Sequence, residues 1–354
     1  MTINTPPVSD DGLPHAWIET PLMESASLSK LAGCRVFLKL ENLQPSGSFK
    51  SRGIGNFVRS SILSRSPGTP ITFYISSGGN AGLACVAAAV KFGHRAIIVV
   101  PLSTKPLMIS KLLTAGAVDV IQHGASWKEA DTYLREEMLP KDVNGVYVPP
   151  FDHPDVWTGA ATMVDEIELQ LGKGSHMGSA RRPPEEGARR VAPDAIVCSV
   201  GGGGLFCGIM QGLKQSQVPQ DAKVVAAETI GAESFHAAVQ AKQLVTLPAI
   251  TSIATSLGAR QVCQQALDYG LSDNVRTVLV TDDEAVQACW RFADEERLIV
   301  EPACGATLAV VYEDKLAQLL PGLNKESKVV LIVCGGSNIT IDMLAEHKRV
   351  AEKT

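Results

Sequence analysis

The chain has 354 residues, of which 45% are hydrophobic and 19% are charged, and its formal net charge is −5. This length predicts two domains, and the composition is typical of a globular α/β protein and not of a disordered one. The acidic balance argues against nucleic acid as a partner. No membrane span is expected, because the longest apolar stretch, residues 81–100, is interrupted by Lys91, His94 and Arg95.

The N-terminal segment MTINTPPVSDDG is polar and acidic and contains no apolar run, so it resembles neither a secretory signal nor a transit peptide. Eight cysteines are scattered along the chain without a CxxC pair, mostly within apolar runs. That pattern is typical of buried thiols in a reducing compartment. The two observations together predict a cytoplasmic protein.

Apolar runs rich in β-branched residues alternate with helical patterns along the chain, and this alternation predicts parallel sheets covered by helices. The predicted strands are 36–40, 71–76, 96–101, 119–124, 195–200, 223–228, 276–281 and 328–334. In open α/β sheets, ligands bind beyond the carboxyl ends of the strands. The glycine-containing loops that follow three of these strands are therefore expected to line one cleft.

Lys50 lies in the segment ENLQPSGSFKSRGIGN, residues 41–56, where a loop of small polar residues leads into a predicted helix. An amine with the usual pKa of about 10.4 is protonated and a poor nucleophile, so a lysine that condenses with an aldehyde needs surroundings that favour its neutral form. A buried loop with few carboxylates supplies such surroundings. Lys50 is therefore a candidate Schiff-base residue, although a lone lysine before a helix is more often a surface residue.

An anion-binding arrangement is predicted at residues 71–90, where a β-type run stops at the loop SSGGN and an alanine-rich helix follows. Backbone N–H groups at a helix start have no partner within the helix, and the helix dipole adds partial positive charge. The serine and asparagine side chains add donors for a carboxylate. An ordinary turn between strand and helix, capped by serine, is the alternative interpretation.

Two further loops follow predicted strands. In SVGGGGL, four consecutive glycines, Gly201 to Gly204, allow the backbone to curl around a phosphate with its N–H groups facing the oxygens. The loop is neither a Walker loop nor a GxGxxG motif. Its ligand could therefore be either a mononucleotide or a phosphorylated cofactor. The last predicted strand ends at Cys334 in VCGGSN, where a thiol would either face a ring nitrogen or belong to the core.

These segments together resemble the fold-type II pyridoxal-phosphate enzymes, and most closely the catabolic L-serine dehydratase and L-threonine deaminase branch. PSGSFKSRG, SSGGNAG, SVGGGGL, ETIGAESFH and VCGGSN occur in the order and approximate spacing of that family. The resemblance implies a tryptophan-synthase-β-like α/β fold with two open, twisted, mostly parallel sheets, flanking helices and the cofactor in the interdomain cleft. It also implies a large cofactor-binding domain of residues 1–52 and 153–354, and a small inserted domain of residues 53–152.

The resemblance assigns candidate site residues. Lys50 is implied as the catalytic residue and internal aldimine, with Phe49 stacked on the pyridine ring, Asn80 bonded to the ring hydroxyl and Cys334 facing the pyridine nitrogen. The implied phosphate cup is Gly201, Gly202, Gly203, Gly204 and Leu205. The implied substrate-binding loop is Ser77, Gly78, Gly79, Asn80 and Ala81. A site for a monovalent cation is implied at Gly201, Glu228, Ala232, Leu257 and Ala259, with potassium as the candidate and the identity of the cation left open. The alternative is that Glu228 is simply a paired carboxylate.

The activity that the resemblance implies is dehydration and deamination of L-serine or L-threonine to pyruvate or 2-oxobutyrate plus ammonia. Lys50 would remove the α-proton, and the cofactor phosphate would protonate the leaving hydroxyl. A thiol cannot hold the ring nitrogen protonated as an aspartate would, so we expect prompt elimination without a long-lived quinonoid. A homodimer and a role in amino-acid catabolism and gluconeogenesis are implied as well.

Gly78 separates relatives within this fold, because serine racemases place a serine at the matching position to deliver a proton on the opposite face. Some dehydratases have alanine there, so glycine leaves the efficiency of this member open. The remaining alternatives are another pyridoxal-phosphate lyase or replacement enzyme of the same fold and a non-catalytic amino-acid-binding relative. The preference between serine and threonine is also open, since it depends on pocket contacts to one methyl group worth about 1–3 kcal/mol.

Residues 172–190, GKGSHMGSARRPPEEGARR, lack any apolar period and predict a surface loop. His153 and His236 are interpreted as structural residues. No pair of histidines has the spacing of a transition-metal site.

Overall fold

The computed structural model describes residues 12–173, 189–219 and 221–351. The chain forms two compact units. The first unit comprises Met1–Ile18 and Gln44–Gly159, and the second comprises Glu19–Leu43 and Ala160–Thr354. Nearly all of the predicted N-terminal segment and most of the predicted surface loop at 172–190 lie outside the described residues. The predicted division into a cofactor-binding domain and an inserted domain stays a prediction.

Strands and helices alternate along most of the chain. The strands are β1 (Leu22–Glu24), β2 (Arg35–Lys39), β3 (Thr72–Ile75), β4 (Arg95–Val100), β5 (Asp119–Gln122), β6 (Gly145–Tyr147), β7 (Ala195–Ser199), β8 (Lys223–Thr229), β9 (Val275–Val280) and β10 (Lys328–Ile332). The α-helices are α1 (Ala26–Ala32), α2 (Lys50–Leu63), α3 (Asn80–Lys91), α4 (Pro106–Thr114), α5 (Trp127–Tyr133), α6 (Pro154–Gly172), α7 (Gly204–Gln215), α8 (Ser234–Ala241), α9 (Gln264–Gly270), α10 (Asp282–Glu296), α11 (Pro302–Tyr312), α12 (Lys315–Leu319) and α13 (Ile341–Ala351). In the described part of the chain, no helix is both long and apolar enough to cross a bilayer.

The first unit is built on a parallel sheet whose described strands follow the order β5-β4-β3-β6. Its core contains apolar side chains from β3, β4 and the helices α2 and α3. The central strand β3 is buried along its whole length. A parallel sheet covered on both faces requires such continuous apolar strands, which is why the sequence pattern of β3 does not alternate.

The second unit is built on a sheet whose described strands follow the order β1-β2-β10-β7-β8-β9. The edge strand β1 is antiparallel to β2, and the other neighbouring pairs are parallel. Every strand predicted from the sequence is confirmed. The strands β1 and β6 were not predicted, because three residues are too few to show a period and neither strand is fully buried.

The helix α11 supports the strands that carry the glycine loop and Cys334. All its residues are buried, and it contacts β7, β8 and β10. Gly305 allows α10 to pack closely against it, because a Cβ at that position would collide with the Ala285 carbonyl oxygen and lie 2.6 Å from the Cys289 sulfur. The helix α10 begins with a capping box in which Thr281 and Glu284 satisfy each other's backbone N–H groups.

Candidate active site

Lys50 is the first residue of α2 and follows a loop that serine side chains hold closed. The Ser46 hydroxyl lies 2.8 Å from the Ser51 hydroxyl, which also accepts a hydrogen bond from the Ser46 N–H at 3.1 Å. The Lys50 amino group donates a hydrogen bond to the Pro150 carbonyl at 2.6 Å and lies 5.4 Å from the centroid of the Phe49 ring. The loop therefore presents the amine of Lys50 beside one aromatic ring and one backbone carbonyl.

The loop between β3 and α3 is held in place from several sides. The Trp127 indole N–H donates a hydrogen bond to the Ser76 carbonyl at 2.6 Å, and the Ser77 hydroxyl accepts one from the Gly79 N–H at 3.4 Å. The chain returns so closely that a Cβ at Gly82 would collide with the Ser77 carbonyl oxygen. This loop and the first turn of α3 contain the predicted substrate-binding residues Ser77, Gly78, Gly79, Asn80 and Ala81.

Two serine hydroxyl groups of the first unit are buried and have no hydrogen-bond partner among the described residues. They belong to Ser48 and Ser76, each with 1% of its surface exposed. A buried polar group left unsatisfied costs about 1–3 kcal/mol, so each hydroxyl indicates a bound ligand or an ordered water molecule. Ser48 precedes Lys50 by two residues, and Ser76 immediately precedes the predicted substrate-binding loop. Sequence reasoning assigned no role to Ser48 and counted Ser76 only among the serine donors of the loop SSGGN, since burial is not visible in a serine-rich loop.

The glycine loop connects β7 with α7 in the second unit. Gly203 has a φ of +97°, and a Cβ there would lie 2.6 Å from the Cβ of Ala266. A Cβ at Gly201 would lie 3.1 Å from the Ser256 carbonyl oxygen. The helix α7 begins at Gly204, where backbone N–H groups without partners in the helix and the helix dipole favour an anion. The loop is therefore a backbone cradle that has no room for a side chain at Gly203 and little room for one at Gly201.

Cys334 follows β10, and its sulfur lies 3.5 Å from the hydroxyl of Ser199 at the end of the neighbouring strand β7. Both residues are buried. Burial and a hydrogen bond with Cys334 hold the pKa of the Cys304 thiol well above its usual range, so Cys304 keeps its proton. Gly335 and Gly336 follow with φ values of +79° and +113°, which turn the chain away from the strand.

Glu228, at the carboxyl end of β8, has a fully buried side chain. Its two oxygens accept hydrogen bonds from the N–H groups of Phe235 at 2.9 Å and His236 at 2.7 Å. Burial raises the pKa of Glu228 to about 8, despite these two hydrogen bonds. Within the described residues the carboxylate makes no ion pair with a lysine or arginine side chain, so the predicted alternative of a paired carboxylate gains no support there.

Of the other predicted cation residues, Gly201 lies in the glycine loop, whereas Ala232, Leu257 and Ala259 lie in the segment between β8 and α9. Ala232 and Leu257 are buried, and the Leu257 carbonyl accepts a hydrogen bond from the Ala259 N–H at 2.7 Å. Ser234 is fully buried, and its hydroxyl has no hydrogen-bond partner in the described part of the chain. Sequence reasoning missed Ser234, although its place between Glu228 and the two N–H donors of that carboxylate follows from the motif ETIGAESFH.

The two histidines make local contacts. The His236 Nδ1 atom lies 2.8 Å from the Thr277 hydroxyl, and the His153 Nδ1 atom accepts a hydrogen bond from the Asp155 N–H at 3.1 Å. Among the residues that the structure describes, no three His, Cys, Asp or Glu side chains group together in a way that would hold a metal ion.

A family model described as pyridoxal-phosphate dependent enzyme matches residues 13–335. The chain belongs to this family. The Bos taurus protein named L-serine dehydratase/L-threonine deaminase is 43% identical to it over 338 residues, with 94% of this chain and 95% of the relative covered. The Saccharomyces cerevisiae protein named catabolic L-serine/threonine dehydratase is 39% identical, with 93% of this chain and 89% of the relative covered.

Solved structures agree with the sequence relatives. The crystal structure of an L-serine ammonia-lyase from the fungus Rhizomucor miehei has a TM-score of 0.83 and 36% sequence identity, and the match covers 95% of this chain and 99% of that one. A threonine deaminase isoform from Solanum lycopersicum has a TM-score of 0.78 at 25% identity, with 96% of this chain and 84% of that one covered. The family resemblance and the predicted fold class are therefore confirmed.

The residues present fit the cofactor of a pyridoxal-phosphate dependent enzyme. The cradle from Gly201 to Gly204 carries no side chains, has no room for one at Gly203, and offers backbone N–H groups, which are the donors that a phosphate group needs. Leu205 is buried in the first turn of α7. In the first unit, Lys50 offers an amine and the unsatisfied hydroxyl of Ser48 offers a further polar contact.

Proposed function

We propose that this protein is a pyridoxal-phosphate-dependent ammonia-lyase that dehydrates and deaminates L-serine and L-threonine. L-Serine would yield pyruvate and ammonia, and L-threonine would yield 2-oxobutyrate and ammonia. The observation that carries the proposal is the similarity, over nearly the whole chain, to the cow and yeast proteins whose names state this activity. The motifs PSGSFKSRG, SSGGNAG, SVGGGGL and ETIGAESFH lie within residues 13–335, which the family model matches.

Lys50 is proposed as the catalytic residue of the first unit. When bound, pyridoxal phosphate holds the amino group of the substrate covalently and withdraws electrons from its Cα. The amine of Lys50, in its neutral form, removes the proton from that Cα. The Pro150 carbonyl supports this role, because the hydrogen bond from the Lys50 Nζ at 2.6 Å gives the flexible side chain a fixed direction. Phe49 lies beside the amine and is proposed to pack against the cofactor ring.

The loop from Ser77 to Ala81 is proposed to bind the substrate carboxylate. Its support is the arrangement of donors, which are the N–H groups at the start of α3 and the side chains of Ser77 and Asn80. Asn80 is proposed to contact the ring hydroxyl of the cofactor as well. The contacts of Ser76 and Ser77 on the loop orient these donors before the substrate binds, which lowers the entropy lost on binding.

In the second unit, Gly201, Gly202, Gly203, Gly204 and Leu205 are proposed to bind the cofactor phosphate. Cys334 is proposed to face the pyridine nitrogen. The support is the position of Cys334 just after β10, where its sulfur lies 3.5 Å from the hydroxyl of Ser199, the last residue of the strand that leads into the glycine loop. A neutral thiol donates a weak hydrogen bond and leaves the ring nitrogen without a full positive charge.

A potassium ion is proposed at Glu228, with the carbonyl groups of Gly201, Ala232, Leu257 and Ala259. The support is the fully buried carboxyl group of Glu228, which makes no ion pair within the described residues, and the buried hydroxyl of Ser234, which has no hydrogen-bond partner among them. With a pKa of about 8 the buried carboxyl group is mostly uncharged at neutral pH, and a cation bound by oxygen ligands beside it would favour the charged form. The Ser234 hydroxyl is proposed as a further oxygen ligand.

Three further expectations rest on the family resemblance and are proposed with the function. The protein is a homodimer, it acts in the cytoplasm in amino-acid catabolism that feeds gluconeogenesis, and residues 53–152 form a small domain inserted between the two parts of the cofactor-binding domain, 1–52 and 153–354. Light scattering coupled to size-exclusion chromatography checks the first of these directly.

The test of the function is the release of 2-oxo acid from L-serine, L-threonine and their D-enantiomers, with pyridoxal phosphate and potassium present. Product from the L-forms alone is expected. Lys50→Ala should abolish product while Lys325→Ala, which removes an exposed amine, should leave it unchanged. No product from any of the four amino acids would overturn the proposal and favour a replacement enzyme of the same family.

A further inference from the structure

We propose that Thr104 is a positioning residue that reserves position 78 of the substrate-binding loop for glycine. The inference rests on the proposed function, because it assigns a further residue to the loop that is proposed to receive the substrate. Gly78 does not adopt a positive φ. Its backbone conformation is therefore open to any L-residue, and the restriction at this position is one of space alone.

The space beside Gly78 is filled by side chains from the end of β4 and the loop after it. A Cβ on Gly78 would lie 2.8 Å from the Thr104 Cγ2 atom and 3.5 Å from its Oγ1 atom. It would also lie 3.2 Å from the Cγ1 atom of Val100, which is fully buried. Carbon atoms in contact are normally about 3.5–4.0 Å apart, so the contact with Thr104 is the one that excludes a side chain.

Thr104 cannot move away easily. Its side chain is short and branched at Cβ, so the position of the Cγ2 methyl group is set by the backbone and one torsion angle. The Thr104 N–H donates a hydrogen bond to the Pro101 carbonyl at 3.0 Å, and the Leu102 N–H donates one to the Gly124 carbonyl at 2.9 Å. These bonds hold the turn that carries Thr104 against the end of the sheet.

The substrate-binding loop cannot move away either. Trp127 holds the Ser76 carbonyl on one side of Gly78. On the other side, the first turn of α3 approaches so closely that Gly82 has no room for a Cβ beside the Ser77 carbonyl. An added methyl group at position 78 would therefore displace the loop and misdirect the N–H groups that are proposed to bind the carboxylate. Removing the Cγ2 atom of Thr104 would restore the space.

A double-mutant cycle in the cofactor-loaded enzyme tests the proposal. The variants are Gly78→Ala, Thr104→Ser, Thr104→Val and the two double variants, because serine lacks the Cγ2 methyl group whereas valine keeps two γ atoms. Gly322→Ala is the matched control, since Gly322 is exposed, has no positive φ and has no heavy atom within 4 Å of its Cβ position. The measurements are Tm and the separate KM and kcat values for L-serine.

We expect Gly78→Ala to lower Tm by roughly 2–6 °C and to raise KM for L-serine by about tenfold, with a smaller change in kcat. Thr104→Ser should recover most of both losses in the double variant, Thr104→Val should recover neither, and Gly322→Ala should change nothing. If Gly78→Ala does not fold, the double variant with Thr104→Ser should still fold.

Four results would overturn the role of Thr104. The first two are a Gly78→Ala enzyme with the Tm and KM of the wild type, and equal recovery of these values by Thr104→Ser and Thr104→Val. The other two are additive effects of the two substitutions in an active enzyme, and failure of both Gly78→Ala and its double variant with Thr104→Ser to fold. The Tm values do not depend on turnover, so they separate this proposal from the proposed function. Non-additive Tm changes for Gly78→Ala and Thr104→Ser, in a protein that releases no 2-oxo acid from any substrate, would overturn the proposed function. The assignment of Thr104 to a substrate-binding loop would then fail with it.

Discussion

Replacing Gly203 with alanine should weaken cofactor binding more than the same replacement at Gly201, the other glycine of the loop whose surroundings are tight. At a φ of +97°, an L-residue is strained by about 1–2 kcal/mol. The new Cβ would also lie 2.6 Å from the Cβ of Ala266, and overpacking of this kind costs typically about 1–3 kcal/mol. If the loop relaxes to relieve both effects, binding must restore its conformation at a total cost of about 2–5 kcal/mol, which raises the cofactor Kd roughly 30- to 4,000-fold.

The assay is titration of the cofactor-free variants with pyridoxal phosphate, followed by the absorbance of the bound cofactor, with Tm as a check of folding. Gly201→Ala is the matched comparison. Gly201 does not have a positive φ, and a Cβ there would lie 3.1 Å from the Ser256 carbonyl oxygen. Gly201→Ala should therefore lose less cofactor affinity than Gly203→Ala. Wild-type affinity in Gly203→Ala, or a greater loss in Gly201→Ala, would refute the reasoning from backbone strain and close packing.

Three other predictions concern buried charge and ionisation. Potassium at 100 times its Kd should stabilise the wild type by about 2.7 kcal/mol, and it should no longer raise the Tm of Glu228→Gln. Choline chloride is the control for ionic strength. An equal rise in Tm in the wild type and the variant would contradict the cation site. Burial and the hydrogen bond to Asp142 raise the pKa of Tyr74 to about 12. The neutral phenol therefore stabilises the fold fully below about pH 10 and loses this contribution as the pH rises toward about 12. Between these pH values, the free energy of unfolding measured in urea should fall less for Tyr74→Phe than for the wild type. An equal fall in the two proteins would count against this role of Tyr74. Glu166→Ala should remove the carboxylate that lies 2.6 Å from the buried ammonium of Lys39 and lower the free energy of unfolding by about 3–5 kcal/mol. This loss should exceed that of the double change Lys39→Met and Glu166→Leu, which removes both charges. A single variant as stable as the double variant would show that the Lys39–Glu166 ion pair does not govern stability.

The fold was predictable to the extent that each element carried its own pattern. Continuous apolar runs such as 328–334 indicated buried parallel strands, and the structure confirms them. The edge strands β1 and β6 escaped prediction because pairing with a neighbour, and not a local period, makes them strands. The pairing order of either sheet could not be read from the sequence, since strands far apart in the chain, such as β2 and β10, lie side by side.

The candidate site was predictable as a set of motifs, and the family to which they point is confirmed. The roles of Lys50, Asn80 and Cys334 stay predictions. Residues with no special local signal escaped sequence reasoning, among them Ser48 and Ser234. A serine is commonplace in a loop, and only its burial without a partner among the described residues makes either hydroxyl informative.

The sequence by itself determined most of the segments that fold as strands and helices, and it marked Gly201 to Gly204 as a loop that needs glycine, because these are properties of residues and their chain neighbours. Tertiary structure alone decided which distant groups meet. Ser199 and Cys334 are 135 positions apart, yet their side chains lie 3.5 Å from each other. Gly78 needs to be glycine because Thr104 occupies the space beside it, a requirement that no local pattern contains. Contacts of this kind depend on how the strands and helices pack, and packing is a property of the whole unit.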